Sequence, residues 1–174
     1  GPVVVGVDDE EGAALAARHG TATVGTSAGS DWRLSEVVES WEGVRFTLTG
    51  PVTGAFGLEL PVPGLHNARN AASAAAVAVL AGAAPEAVAS ALARFGGVAR
   101  RFEHRGQAAG VVLVDDYAHL PTEVGAVLAT ARSGGFARVV AVFQPHRFSR
   151  TEALWSSFGG AFDDADVLYV TDVY

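Results

Sequence analysis

Two short segments concentrate the side chains that could perform chemistry. They are Asp115–His119 (DDYAH) and Gln144–Arg150 (QPHRFSR). Carboxylates and imidazoles transfer protons or bind cations, whereas guanidinium groups bind carboxylates and phosphates, often through two parallel hydrogen bonds. His146 together with Arg147 and Arg150 therefore predicts a site for an anionic ligand. Two alternatives stay open in the first segment: its aspartates as loop caps, and its histidine as a turn residue.

The elements that must position these segments form a strand–helix–strand pattern. Val111–Val114 and Val139–Phe143 are short, β-branched and apolar, which is typical of buried parallel strands. Between them, Pro121–Arg132 begins with proline and an acidic residue and ends before a glycine pair, which indicates a helix. A right-handed crossover would place both strands parallel in one sheet. Both segments would then leave the carboxyl edge of that sheet, where open α/β sheets bind ligands.

The remaining chain predicts further α/β structure with one antiparallel part. Residues 34–60 alternate between apolar and polar types around glycine and proline, which indicates an antiparallel meander. The other predicted elements are strands at Pro2–Val7, Ala22–Val24 and Asp166–Thr171, and helices ending near Arg18, Ala81, Phe95 and Ala165, the last of them starting at Thr151.

Two more places could touch a ligand. Asn67 and Asn70 lie three residues apart at the start of the alanine-rich helix, so they share one face, and asparagine amides can pair with adenine. The alternative is that Asn67 only caps the helix. Residues 97–103 follow a helix and contain Arg100 and Arg101, which predicts a hinge between domains; a solvated pair of arginines is the alternative.

Composition excludes several classes of protein. The chain has 174 residues and a net charge of −7, which argues against nucleic-acid binding. It has no cysteine, and all twelve basic residues are arginines, so neither a thiolate metal site nor a phosphate-binding lysine is available. Its longest alanine-rich run is too short to cross a bilayer. The prediction is a cytoplasmic protein with no membrane partner.

Five motifs resemble those of the Mur ligase family. They are GLHNARNAASAAAV, GVARRFEHRG, VDDYAHLPTEV, FQPHRFSRT and DADVLYVTDVY, in this order along the chain. The resemblance implies that residues 1–99 are the C-terminal part of a central ATP-binding domain, a mixed sheet with an antiparallel meander and helices. Residues 100–174 would be the first part of a Rossmann-like parallel α/β domain, truncated here.

The resemblance also implies a reaction and roles for individual residues. Within the family the similarity is greatest to members that use ATP to join L-alanine to UDP-N-acetylmuramate through an acyl phosphate, in peptidoglycan synthesis. The residues implied to bind the nucleotide are Asn67, Asn70, Arg101, Asp116 and His119. Those implied to bind substrate are Tyr117, His146, Arg147 and Arg150. The phosphate loop and the ligands of Mg²⁺ are expected outside the chain, with no metal site inside it, so the isolated chain is expected to be inactive.

Two departures and two alternatives accompany this resemblance. Leu120 stands where the family commonly has a second histidine, and Phe148 stands where tyrosine is common. A non-catalytic module that binds nucleotides or anions on the same fold is one alternative. A folylpolyglutamate-type ligase is the other, and the QPHRFSR segment argues against it.

Overall fold

Nine strands and five α-helices form in the computed structural model, which describes residues 1–174. The chain divides into two units, Gly1–Gly96 and Gly97–Tyr174; the sequence had placed the boundary after residue 99. None of the helices has both the length and the apolar character needed to span a membrane.

The first unit is built on a five-stranded mixed sheet. Its strands lie in the order β1 to β5, with β1, β2 and β3 parallel and β3, β4 and β5 antiparallel. The bounds are β1 Val4–Gly6, α1 Glu10–His19, β2 Ala22–Gly25, β3 Trp32–Ser40, β4 Gly43–Gly50, β5 Gly54–Leu60, α2 Leu65–Leu80 and α3 Pro85–Ala93. The predicted antiparallel meander is therefore confirmed.

Alternating residues explain why this sheet buries one face. Val44, Phe46 and Leu48 are buried on β4, and the residues between them are exposed or half-buried. Helix α2 packs over β1 to β4, and its buried positions are mostly alanines, whose small side chains let helix and sheet approach closely. The fully buried Trp32 fills the space beside Gly50.

The second unit contains two separate two-stranded sheets. Its bounds are β6 Glu103–Ala108, β7 Val111–Asp115, α4 Pro121–Ser133, β8 Val140–Phe143, α5 Phe148–Leu154 and β9 Val167–Val170, with a 3-10 helix at Trp155–Phe158. Strands β6 and β7 pair antiparallel, and β8 and β9 pair parallel. The parallel α/β character predicted for this part is found in β8, α5 and β9.

The prediction that β7 and β8 share one sheet is wrong. A two-residue loop, Ala109–Gly110, connects β6 directly to β7. Strand β7 therefore pairs antiparallel with β6, its neighbour in sequence, and not with β8. The two strands are also less buried than predicted, because Val111 is 58% exposed and Val142 is 73% exposed.

A small apolar core joins α4 to the parallel pair. Val124 and Leu128 of α4 pack with Val139 and Ala161, and three phenylalanines (Phe143, Phe158 and Phe162) surround them. The single helix predicted for residues 151–165 is wrong: α5 already begins at Phe148, and turns follow the 3-10 helix. The pair Gly159–Gly160 gives a physical reason, since glycine is costly inside a helix.

Candidate functional site

Asp8 and Asp9 follow β1 and have different roles. Asp9 is the N-cap of α1 and accepts the N–H of Gly12 at 2.7 Å. The Asp8 carboxylate instead accepts the backbone N–H and the hydroxyl of Thr26 at 2.7 and 2.8 Å, and pairs with Nε of Arg69 at 2.7 Å. Burial raises the pKa of Asp8, but these donors together hold it below its ordinary value.

The two asparagines of α2 have different surroundings. The N-cap of the helix is Gly64, so Asn67 is not the cap; its Nδ2 donates to the carbonyl of Pro63 at 2.7 Å. That bond leaves its Oδ1 and one amide hydrogen available. Asn70 is exposed, and its side chain makes no hydrogen bond within the chain. Asn70 can therefore offer both a donor and an acceptor to a base.

Asp116 binds the backbone just before β6 and just after β7. One carboxylate oxygen accepts the N–H of Phe102 at 2.7 Å, and the other accepts the N–H of Ala118 at 2.6 Å. Phe102 and Arg100 both have positive φ, 47° and 58°, which is uncommon outside glycine. Asp116 therefore stabilises the unusual backbone conformation of Phe102, the residue that follows Arg101.

Glu123, in the first turn of α4, contacts several predicted site residues. Its Oε2 accepts the N–H groups of His119 and Leu120 at 3.0 and 3.2 Å, and its Oε1 lies 3.6 Å from Nη1 of Arg101. Burial raises the pKa of Glu123, but the two N–H groups and the charges of His119 and Arg101 together hold it below its ordinary value. Helices often begin in this way, with a glutamate at the third helical position that accepts the backbone N–H of the N-cap residue, here Leu120.

The imidazole of His119 has a defined orientation. Its Nδ1 lies 2.9 Å from the carbonyl oxygen of Tyr117 and 3.5 Å from Oε2 of Glu123. Both neighbours are acceptors, which assigns a ring proton to Nδ1; when the ring is neutral, Nε2 keeps a lone pair. Nε2 of His119 can therefore accept a hydrogen bond from a ligand.

The segments after β7 and β8 do converge, as predicted. The rings of Tyr117 and His146 are 6.4 Å apart between centroids, and His146 stacks on Tyr174 at 5.8 Å. Tyr117 also contacts His119 edge-on at 5.2 Å and lies 4.7 Å beneath the guanidinium carbon of Arg100. The juxtaposition follows from loop packing, since β7 and β8 lie in different sheets.

The predicted anion-binding residues are available for a ligand. Nδ1 of His146 is buried and has no hydrogen-bond partner. The side chains of Arg147 and Arg150 take part in no ion pair of the chain. Arg147 has φ 69°, and its backbone N–H donates to the carbonyl of Tyr174 at 2.7 Å. The two guanidinium groups are thus free to bind oxygen anions.

No group of three or more histidine, cysteine, aspartate or glutamate side chains is arranged to hold a metal ion. The carboxylates of Asp8, Asp116 and Glu123 are already engaged by N–H, hydroxyl or guanidinium groups. The described residues therefore do not fit a Mg²⁺ site.

Comparison with known proteins shows two matching family regions. The Mur ligase middle domain matches residues 1–78, and the Mur ligase glutamate ligase domain matches residues 100–173. The chain belongs to the Mur ligase family. The predicted family, and the mixed α/β fold that goes with it, are thereby confirmed.

Individual Mur ligases extend this result. The UDP-N-acetylmuramate–L-alanine ligases of Kineococcus radiotolerans and an Arthrobacter species are 47% and 45% identical over 100% of this chain, but only 38% of each relative is covered. The solved UDP-N-acetylmuramate–alanine ligase of Thermotoga maritima has a TM-score of 0.82 and 31% identity over 99% of this chain and 38% of its own. MurF from Acinetobacter baumannii also has a TM-score of 0.82, at 19% identity, covering 99% of this chain and 42% of its own, which shows the shared fold alone. The chain thus spans under half of the length of these Mur ligases.

Two residues that contact the candidate site were given no role from the sequence: Glu123 and Tyr174. Glu123 was visible only as an acidic residue at a helix start. Its bonds to Arg101 and His119 depend on the conformation of residues 97–102, which belong to no helix or strand. Leu120 and Phe148, the two residues that depart from the family pattern, also have defined surroundings. The N–H of Leu120 donates to Glu123, and Phe148 is 73% exposed at the start of α5.

Proposed function

We propose that these residues form part of an ATP-dependent ligase that joins L-alanine to UDP-N-acetylmuramate through an acyl phosphate, in peptidoglycan synthesis in the cytoplasm. The observation that supports it best is the group formed by His146, Arg147 and Arg150, which offers a buried imidazole nitrogen and two unpaired guanidinium groups. The relatives from Kineococcus and Arthrobacter are named for the same substrates.

In the first unit, the proposed role is recognition of adenine. Asn70 has its amide donor and acceptor free, and Asn67 retains Oδ1 and one hydrogen. A carboxamide can form two parallel hydrogen bonds with the amino group and N7 of adenine, which selects adenine over guanine. A guanine base presents an acceptor where adenine presents its amino group, so the same contact would fail.

In the second unit, Arg101 and His119 are proposed to face the nucleotide. Arg101 is 48% exposed at its side chain and shares one long contact with Glu123, so most of its guanidinium donors remain free for phosphate oxygens. Asp116 acts beside them by fixing the backbone of Phe102 and Ala118. Asp116 is therefore proposed to influence the nucleotide through Arg101.

The incoming amino acid is proposed to bind where Tyr117 and His146 meet. A guanidinium of Arg147 or Arg150 would bind the alanine carboxylate, which would orient the amine for attack. Both arginines are close in sequence to His146, whose Nδ1 can bind the muramoyl group or the carboxylate.

ATP would supply the phosphoryl group that activates the muramoyl carboxylate. The residues described here contribute binding and orientation to that reaction, since they include neither a lysine nor a group of metal ligands. We assign no step to Mg²⁺ within this chain.

A chimera tests the proposal. Residues 1–174 replace the matching segment of the Kineococcus ligase, and phosphate release is measured with ATP, UDP-N-acetylmuramate and L-alanine. We expect release that requires all three compounds. Release without alanine, or none in a folded chimera, would contradict the proposal; ATP binding without turnover would instead favour the non-catalytic module.

An arginine variant tests the proposed amino-acid site within that chimera. Arg150→Ala is expected to raise the KM for alanine by about 10- to 100-fold, the equivalent of one lost charge-assisted hydrogen bond. The KM for ATP should change little. Arg18→Ala is the matched control, because Arg18 is an arginine of α1 without an ion pair.

A further inference from the structure

The first turn of α2 lacks the usual device that fixes the start of a helix. Its N-cap is Gly64, with φ 104°, and no side chain accepts a hydrogen bond from the first free N–H groups. The first turn also contains no acidic residue. Such a start frays unless other contacts hold it.

Arg69 supplies such a contact from within the same turns. It lies between Asn67 and Asn70 in sequence, and its Nε pairs with Oδ2 of Asp8 at 2.7 Å. Asp8 follows β1, and its other oxygen accepts both donors of Thr26, which follows β2. One carboxylate therefore joins the ends of two strands to the helix that bears both asparagines.

We propose that Asp8 and Arg69 are positioning residues, which hold the first turns of α2 against the carboxyl ends of β1 and β2 and thereby fix Asn67 and Asn70 for base recognition. The base-recognition part rests on the function proposed above; the positioning part does not require a bound ligand. Neither residue was assigned to a ligand from the sequence, although Arg69 lies within the motif GLHNARNAASAAAV.

The contacts of Asp8 favour a positioning role for this carboxylate. Three donors already occupy it, and its side chain is only 16% exposed. Three of its roughly four acceptor positions are therefore used within the chain. The lowered pKa of Asp8 agrees with a carboxylate that stays ionised to pair with Arg69.

The chain offers an unusually clear spectroscopic readout. Asn67 and Asn70 are its only asparagines, and Gln107 and Gln144 are its only glutamines. A ¹⁵N spectrum therefore contains four side-chain amide pairs, of which the two from glutamine serve as internal references in the other unit. The backbone amides of Asn67 and Ala68, which donate to the Gly64 carbonyl at 3.0 and 3.2 Å, report the first turn.

The experiment compares the whole chain with Arg69→Met, Asp8→Ala, the double variant and Arg69→Lys. Hydrogen exchange of the Asn67 and Ala68 amides should rise about fivefold in Arg69→Met and in Asp8→Ala, as expected for a partly exposed ion pair. The side-chain signals of Asn67 and Asn70 should shift while those of Gln107 and Gln144 stay in place. Arg69→Lys should restore most of the protection, and the double variant should add little to Asp8→Ala.

The control is Arg18→Met, which removes an arginine of α1 that has no ion pair. Unchanged exchange in Arg69→Met would overturn the proposal, as would an equal rise at the far end of α2 near Val79, which would indicate general loss of stability. Failure of Arg69→Lys to restore protection would also overturn it.

Titration with ATP and GTP separates this inference from the proposed function. We expect ATP, more than GTP, to shift the two asparagine signals in the unmodified chain, and Arg69→Met to reduce that preference by about fivefold, in step with the lost ion pair. If ATP leaves both signals unchanged, the proposed adenine site is wrong, while the ligand-free exchange data still decide whether Asp8 and Arg69 hold the turn.

Discussion

Glu123 Oε1 lies 3.6 Å from Nη1 of Arg101, while Oε2 of the same carboxylate accepts the N–H of His119 at 3.0 Å. One side chain in the first turn of α4 therefore connects two residues that we propose face the nucleotide. Both contacts lie within the second unit, so they can be tested there without reference to the first.

Variants at Glu123 separate its charge from its hydrogen bonds. Glu123→Gln keeps an oxygen for the N–H groups of His119 and Leu120, so we expect the free energy of unfolding to fall by at most about 0.5 kcal/mol. Glu123→Ala removes that acceptor from a helix start and should cost about 1–2 kcal/mol. Urea unfolding followed by the amide signals of α4 measures both. Glu152→Ala, on α5, is the control; equal losses in the two Glu123 variants would contradict this account.

Acid should weaken the second unit through the same group. The pKa of Glu123 is held below its ordinary value of 4.5, against the effect of burial, by the N–H groups and by the charges of His119 and Arg101. A carboxylate whose pKa is lower in the folded state contributes stability above its unfolded pKa and loses it as the pH falls through the folded pKa. Below pH 4.5, stability should therefore fall less steeply in Glu123→Gln than in the unmodified chain. Identical slopes of the free energy of unfolding against pH in the two proteins would contradict the lowered pKa of Glu123.

The strands of the first unit were predictable because their sequence alternates. Val44, Phe46 and Leu48 occupy one face of β4, and a one-residue change of register would expose all three. Strand β6 was not predicted, because EHRGQA shows no apolar alternation and its residues are exposed or half-buried. Since β6 was missed, β7 had no local partner in the prediction and was assigned to β8 instead.

The site could be predicted as residue types but not as contacts. The convergence of Tyr117 and His146 was predicted from a shared sheet, but β7 and β8 lie in separate sheets and the two rings meet through loop packing. The role of Asp116 depends on the positive φ of Phe102, which no local residue type signals. Backbone conformations of this kind are stabilised by tertiary contacts, and short sequence patterns do not encode them.

A methyl group at Gly50 should disrupt the core of the first unit. A Cβ there would lie 2.2 Å from Cζ3 of Trp32, which is fully buried and cannot move away. We expect Gly50→Ala to lower the free energy of unfolding by about 1–3 kcal/mol or more through overpacking. Gly57→Ala on β5 is the matched control, because no atom lies within 4 Å of its Cβ position. Equal effects of the two changes in urea unfolding would refute the packing argument.

The loop between β6 and β7 should accept a better turn residue. Ala109 and Gly110 both have positive φ, 50° and 79°, the pattern of a hairpin turn that favours asparagine followed by glycine. We expect Ala109→Asn to raise the free energy of unfolding by about 0.5 kcal/mol and Gly110→Ala to lower it by about 1 kcal/mol. Urea unfolding followed by the amide signals of β7 measures both, and a loss of stability in Ala109→Asn would contradict the assigned turn.

His146 provides a test in which stability and function change in opposite directions. Its Nδ1 is buried without a partner, which costs free energy, while its ring stacks on Tyr174 at 5.8 Å. His146→Phe keeps the ring and removes the unpaired nitrogen, so the free energy of unfolding should rise by up to about 1 kcal/mol. In the chimera with the Kineococcus ligase, the same change should weaken the response to alanine at least tenfold, by loss of about one hydrogen bond to a charged ligand. His146→Ala removes the ring as well and should lose both stability and response. A destabilised His146→Phe with normal alanine dependence would show that Nδ1 serves the fold and not the ligand.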